Sequence, residues 1–584
     1  MIRNTKTRYL LLFILFFVIK SCCYADYVQN EPITLKQPNG MEINVFVSGD
    51  EYHSWIHDKD SYTIIQNPTT GYYCYAILDE DELVASPYIV GQTDPQNTSL
   101  KTHINISHSK ILEKRENWLR TTPTKKPKSG SNTKTGTLNN IIVYIRFADQ
   151  MEFAAEQGKY TSMFNAETGN SMKNYFNEIS YGKMNIQSYF YPINNGTTIV
   201  SYQDAHSRNY YCAYSNYNTN GYANSSERRN REQELIANAI NAVKSQIPSS
   251  LNLDYDNDGD VDNICFIVKG TYEPYNSLLW SHKWSLFTKS VQIGNKRVYD
   301  YNFQIEESLN RKGVGVLCHE MGHTFGAPDL YHDSSDSHPV DKWDLMARDL
   351  NPPQYIGAYV KHKYLGWIAD MPVISKPGTY TLSPLSSASK NCYKIPLKSS
   401  SEYLVVEYRK KGGTFENQIY GSGLIIYRIN EIHTGNHSAT GHGGAQDEIY
   451  VFRPNGNLSS EGDLSQSYFS STIGKTSFNE TTNPSCFISD GSQSGLFIWN
   501  IKENTDGTLS FKFNYCGEDD EKIFSNTNNL PSYTKITNSI RTEGTVVVKS
   551  TDNVTFESTE SIILGEGFEV KEGGTFKATV TECK

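Results

Sequence analysis

The spacing of apolar positions changes several times along the chain, and each change marks a new block. Near the amino terminus Ile43, Val45 and Val47 alternate with polar residues in "MEINVFVSGDEYHSW", the period of a half-buried strand. "YTIIQNPTTGYYCYAI" reads as two strands about a Pro/Gly turn. "LKTHINISHSKILEKRENWLR" predicts an amphipathic helix. "TTPTKKPKSGSNTKTGT" after it is a Lys/Pro/Ser/Gly linker, expected to be mobile and easily cut. From "LNNIIVYIRFAD", a buried-type strand at 138–147, strand and helix patterns alternate. "SMKNYFNEISYGKMNI" predicts a helix, a turn and a strand. In "REQELIANAINAVKSQIP", Leu235, Ile236, Ala239, Ile240, Val243 and Ile247 form one helical stripe that Pro248 ends. "DNICFIVKG" and "RVYDYNFQIEE" are further strands, so this block is α/β.

From about Thr379 to Phe513 the pattern turns to strands: "TYTLSPL", "EYLVVEYR", "GLIIYRIN", "EIYVFRP", "GLFIWNI" and "LSFKF". An acidic linker, "GEDDEKIFSNTNNLPS", leads to a last module. There Val546, Val554, Ile562, Val570 and Ala578 recur every eight residues, as do Val548, Phe556 and Leu564, a period that short stacked strands produce.

A length of 584 residues calls for several domains. The divisions expected are a signal peptide at 1–25, an amino-terminal block with its basic linker at 26–135, the α/β block at 136–372, a β-sandwich-like extension at 373–515, and the linker and β-repeat module at 516–584. The basic start and the apolar run Tyr9–Ile19, too short for a bilayer span, mark the signal peptide, with cleavage expected after Ala25. Lipid attachment at Cys22 is the rival, which Lys20 disfavours. Release to the exterior or the cell surface is therefore expected, with no membrane span. Only 38% of residues are hydrophobic and the net charge is -10 with no long basic run, which argues against a nucleic-acid partner. Mean hydropathy is -0.54. Cys74, Cys212, Cys265, Cys318, Cys392, Cys486, Cys516 and Cys583 are scattered without a CxxC pair, which excludes a cysteine-type zinc site.

The chemistry concentrates in "VLCHEMGHTFGAPDLYH". On a helix His319 and His323 leave one face, about 40° apart, and Leu317, Met321 and Phe325 occupy another. Glu320 is placed to take a proton from a water at a metal. A catalytic zinc needs a third protein ligand. The next glutamate after Glu320 is Glu402, which lies beyond the block. Gly326 can end the helix and turn the chain back, and the next side chain able to bind is Asp329, with His332 as an alternative. Cys318 reads as a core cysteine.

H-E-x-x-H-x-x-G-x-x-D resembles the signature of metzincin zinc peptidases. "IIVYIRFAD", "SMKNYFNEISYGKMNI", "LDYDNDGDVDN", "LWSHKW", "HEMGHTFGAPDLY", "WDLMA" and "YLGWI" resemble the immune inhibitor A family of secreted bacterial metzincins. The likeness runs over 138–513. It implies a metzincin-like fold, one catalytic zinc on His319, His323 and Asp329, and Glu320 as general base toward a zinc-activated water. It also implies Met346 in "KWDLMARDL" as the methionine turn, and extracellular proteins or peptides as substrates. "QPNGMEINVFVSGDEYHSWIHDKDSYTIIQN" is similar to that family's propeptides, which implies a zymogen activated by a protease at the Lys-rich linker, near Lys125–Lys128. Arg348 stands where some metzincins carry tyrosine, so transition-state stabilisation is unassigned. A non-catalytic adhesion or binding protein on a peptidase scaffold is the alternative; an intact Glu320 speaks against it.

Three other constellations stand apart. "DYDNDGDVD" sets Asp254, Asp256, Asp258, Asp260 and Asp262 at alternate positions around Gly259, like the first half of a calcium loop, but Cys265 replaces the closing glutamate. His433, His437 and His442 suit a solvated loop better than a metal, and His282 a packed, hydrogen-bonded site. For latency, a propeptide carboxylate or thiolate can block the open metal position. Asp50, in a loop-like "VSGDEY", is preferred over Cys74.

Overall fold

The computed structural model describes residues 24–580 except 26–27, 51, 122–133, 195, 273–277, 333–337, 398–400, 437–443, 445, 493, 516–521, 537–538 and 559–560. Cys22, Lys125–Lys128, His437, His442, Cys516 and Cys583 lie outside the described residues.

Six antiparallel strands from Val28–Lys36 to Glu82–Ile89 pair in sequence order. The alternating residues Val45 and Val47 point into their core with Ile56 and Ile64, and Tyr272 and Trp280 of the next block close it. Helix α1 (His108–Thr121) follows. It begins later than the polar pattern alone suggests, after Ser107, whose hydroxyl accepts from the Lys110 N–H.

The α/β block is built on β1 (Gly136–Arg146), β2 (Met184–Tyr191), α2 (Ser225–Val243), β3 (Ile264–Val268), β4 (His282–Ser285), β5 (Asp300–Ile305) and α3 (Val314–Thr324). The strand order is β4-β5-β3-β1-β2. All these neighbours are parallel except β4, which runs antiparallel to β5. The outer edge of β4 also pairs with Tyr24–Ala25. Both faces of the sheet are covered, which explains the unbroken apolar run "IIVYI". Ile141, Val143 and Ile145 pack with the α2 stripe Leu235, Ile236, Ala239 and Ile240. Ile142 and Tyr144 point the other way, into a core with Val316, Leu317 and Met321 of α3.

Two antiparallel sheets make the extension. One contains Cys392–Pro396, Tyr403–Arg409, Gly423–Ile429 and Ile449–Val451; the other contains Gly378–Leu382, Leu509–Tyr515 and Leu496–Glu503. Leu404, Val406, Leu424 and Ile426 face Ile498, Phe511 and Phe513 between the sheets. The opposite face, with Val405, Ile425 and Tyr427, joins the same core as α3. Apolar packing is therefore continuous across residue 372.

The carboxyl-terminal module stacks parallel strands, with Ile540 beside Ile562, Val546 beside Phe568 and Asn553 beside Thr575. Each of these pairs is 22 residues apart in sequence. The eight-residue recurrence is the step from strand to strand around one turn, and nearly three such steps close a rung. Among the described residues no helix is long and apolar enough to cross a membrane.

Candidate metal centre

Helix α3 is buried from Val314 to His323. It ends where the sequence suggests: Phe325 N–H donates to Met321 O, Gly326 takes φ +98°, and Ala327 N–H donates back to Gly322 O. The reversal returns Asp329 to the two histidines. His319 Nε2 lies 3.0 Å from His323 Nε2. Asp329 Oδ1 lies 3.3 Å from the first and 3.2 Å from the second. His319, His323 and Asp329 are each no more than 2% exposed.

The other ring nitrogens settle the tautomers. His319 Nδ1 faces Leu345 O at 3.1 Å and His323 Nδ1 faces Ala327 O at 2.8 Å. A carbonyl only accepts, so both Nδ1 atoms carry hydrogen and both Nε2 atoms present lone pairs. Two lone pairs and a carboxylate oxygen then converge, an arrangement that a cation between them relieves. Donor separations of 3.0–3.3 Å are close enough that His319, His323 and Asp329 could together hold one metal ion. The pKa of His323 is lowered, chiefly by burial.

Glu320 is fully buried. Cys318 sits in the core. The Cys265 thiol is raised by burial and secondarily by the charge of Glu320, which places that carboxylate toward β3. Met346 is fully buried beneath α3, and its carbonyl accepts from Leu330 N–H at 2.9 Å. Its sulfur lies where a Cβ on Gly322 would be 2.7 Å away. Arg348 pairs with Asp341 and is half-exposed.

His332 turns away from this cluster to Asp447, with Nε2 2.6 Å from Oδ1. Asp447 was invisible to motif reading, as was Asn436, which donates from its backbone to Asp329 O at 2.9 Å and from Nδ2 to Leu330 O at 3.2 Å. Both come from the extension. The one available signal was charge inside apolar strands: Glu407 and Arg409 in "EYLVVEYR" are fully buried behind the Met346 loop.

Asp50 is 1% exposed, and Oδ1 accepts from Tyr52 and His53 N–H at 2.8 Å each. Oδ2 has no hydrogen-bond partner among the described residues. Burial pushes its carboxyl up to about 7, the His53 and Tyr52 N–H groups oppose this, and the Asp329 charge adds to it. Asp50 thus lies within electrostatic reach of the metal-site aspartate. Cys74 is instead buried in a strand of the six-stranded sheet.

Of the five alternating aspartates, Asp254, Asp256 and Asp262 converge. Asp260 instead pairs with Arg297, and Asp258 accepts from Asp260 N–H at 2.8 Å. Lys296 reaches Asp254 Oδ2 at 2.6 Å. Burial and the neighbouring aspartates push Asp262 up to about 8 against the Tyr255 N–H bond. His282 is packed between Glu232 Oε1 at 2.9 Å and Trp280 O at 2.8 Å. His433 is half-buried.

His319 and His323 on one helix, a reversal at Gly326 and the returning Asp329 make a group that could hold a metal ion. Residues 270–350 match the family model described as immune inhibitor A peptidase M6, catalytic domain. That stretch holds β4, β5, α3 and Met346. Immune inhibitor A of Bacillus thuringiensis subsp. alesti is 26% identical over 141 residues, covering 18% of this chain and 20% of that protein. The chain thus spans only a fifth of that relative's length in the match. The family named by the sequence resemblance is the one these comparisons return, and metal dependence is consistent with it. Wild-type OgpA from Akkermansia muciniphila is similar at 12% identity, over 51% of this chain and 85% of that one, with a TM-score of 0.24. Its catalytically inactive form in complex with an O-glycopeptide substrate gives 12%, 51%, 81% and 0.24. A TM-score at that level does not extend to a shared architecture.

Proposed function

We propose that this chain is a secreted zinc endopeptidase of metzincin type, made as a zymogen. The observation that carries the reading is the convergence of two Nε2 lone pairs and one carboxylate oxygen at 3.0–3.3 Å, with both Nδ1 atoms tied to carbonyls. His319, His323 and Asp329 would hold the ion. When bound, zinc supplies Lewis acidity toward the scissile carbonyl and the attacking water. Glu320 takes the water's proton on its carboxylate and passes it to the departing amine nitrogen. Met346 supports the helix from below. The substrates are extracellular proteins or peptides.

Latency follows from Asp50, buried near Asp329 with Oδ2 uncommitted among the described residues. It would take the open metal position until a protease cuts the Lys-rich linker. Asp50→Ala should make the uncut chain active; retained latency removes Asp50 from this role.

Casein or gelatin hydrolysis by the processed protein tests the main reading. Glu320→Ala should lower the rate about a hundredfold or more, and a chelator should abolish it. No cleavage by processed, zinc-loaded protein would favour a binding protein on a peptidase scaffold. The Asp254, Asp256 and Asp262 cluster supports a secondary calcium site. Calcium should then raise the melting temperature of wild type and not of Asp262→Asn; equal shifts in both exclude it.

A further inference from the structure

His319 and His323 are fixed by α3, but Asp329 lies outside any helix or strand. Its carboxylate meets both Nε2 atoms only while the backbone that carries it is held in place. Hydrogen bonds supply that hold. The peptide unit joining Asp329 to Leu330 is gripped at both ends. Leu330 N–H donates to Met346 O at 2.9 Å, and Asp329 O accepts from Asn436 N–H at 2.9 Å. The next carbonyl, Leu330 O, accepts from Asn436 Nδ2 at 3.2 Å.

Asn436 lies on the connection between the strands Gly423–Ile429 and Ile449–Val451 of the extension and is 0% exposed. Its carboxamide is itself anchored. Nδ2 donates to Ile449 O at 2.9 Å, and Oδ1 accepts from Ile449 N–H at 3.1 Å. The amide thus stands opposite Ile449 as a strand residue would, and its second Nδ2 hydrogen is left for the ligand turn. Both donors of Nδ2 and the acceptor Oδ1 are used. Aspartate has the same shape but would set an oxygen against two carbonyl oxygens. Alanine would leave those carbonyls buried without a donor. The other tie between this turn and the extension, His332 to Asp447, joins two side chains three residues further on. It touches no peptide group of Asp329 or Leu330.

We propose that Asn436 is the positioning residue of the third metal ligand, holding Asp329 in register with His319 and His323 from the extension. This rests on the peptidase reading. It adds a residue on which the site depends and which lies outside the stretch 270–350.

The test uses the full-length protein. Chelator competition gives zinc affinity and a thermal melt gives stability. Cobalt in place of zinc reports ligand geometry through its visible d–d absorption. Asn436→Asp and Asn436→Ala should each weaken zinc by about 10–100-fold and shift the cobalt bands. His332→Ala, which breaks the neighbouring buried pair, should lower the melting temperature yet keep wild-type zinc affinity and cobalt bands. Wild-type affinity and an unshifted cobalt spectrum in folded Asn436→Asp overturn the proposal and leave the peptidase reading standing. Where Asn436→Asp does not fold, the same result in Asn436→Ala overturns it. Zinc losses that track the melting temperature equally in the Asn436 variants and His332→Ala also overturn it, because zinc then follows general stability. A wild-type chain that binds no zinc overturns both readings together.

Discussion

Asp329 and His332 are both buried and three residues apart, yet they face different partners. Asp329 closes a triangle with the two Nε2 atoms, while His332 holds Asp447. Asp329→Ala removes the only anion from that triangle. Zinc affinity should fall by more than the roughly 10–100-fold that loss of an outer partner costs. His332→Ala should keep one zinc per chain. It should cost about 3 kcal/mol of stability, because Asp447 is left buried without its partner. Metal analysis alongside urea unfolding separates the two effects; zinc loss in His332→Ala would contradict the assignment. Gly322 is a second position where one atom decides the outcome. A Cβ there would be 2.7 Å from Met346 Sδ and 3.4 Å from its Cε. Gly322→Ala should therefore destabilise by about 1–3 kcal/mol through overpacking and loosen zinc, read by melting and by chelator competition. An unchanged melting temperature would mean that Met346 relaxes freely.

At the scale of elements, the strand Ser54–His57 ties the loop that carries Asp50 to the six-stranded sheet. Burial lowers His53 to about 4; its hydrogen bond with Asn105 opposes this and the Lys114 charge adds to it. The folded state therefore binds fewer protons than the unfolded chain between about pH 4 and the usual histidine value near 6.5. Its stability is full above 6.5 and falls as the pH drops toward 4. Hydrogen exchange of Ser54–His57 should accelerate over that window, and His53→Gln should flatten the dependence; equal pH slopes in both proteins would exclude His53 as the cause. Much of this level was legible in the sequence. The α2 stripe, the buried run of β1 and the helix end at Gly326 follow from periodicity and backbone chemistry alone. The strand Cys392–Pro396 was missed because Lys394 and Pro396 interrupt its pattern. The 22-residue rung was missed because strands one step apart repeat locally, and only long-range register shows which of them stack. His319, His323 and Asp329 lie within eleven residues, so local geometry was enough to nominate them. Asp447 and Asn436 reach the Asp329–His332 turn through tertiary contacts that no local spacing encodes.

At the scale of the whole molecule, the extension packs against α3 and the turn that carries Asp329. Arg409 is fully buried, donates to Trp343 O and to Glu416 Oε2 at 2.7 Å, and lies 3.2 Å from Glu407. Glu407 accepts from Ala358 N–H at 2.7 Å and Glu416 from Tyr355 N–H at 2.9 Å. Asp344, in the same cluster, accepts from Met346 N–H at 2.8 Å and Gly357 N–H at 2.7 Å. The backbone on both sides of Met346 is thus held by carboxylates whose common counter-ion comes from residue 409. Removing that cation leaves Glu407, Glu416 and Asp344 with only the buried Lys361 among their charged neighbours to offset them, at a cost of about 3–5 kcal/mol. The strain falls on the loop whose Leu345 carbonyl fixes His319. Arg409→Met should therefore weaken zinc binding although Arg409 touches no ligand, whereas Lys410→Met, at the exposed neighbouring position, should not. Zinc competition measured under conditions where both variants remain folded makes the comparison. Wild-type affinity in Arg409→Met would show that the Met346 loop holds its shape without the extension, and that the core shared across residue 372 is packing alone.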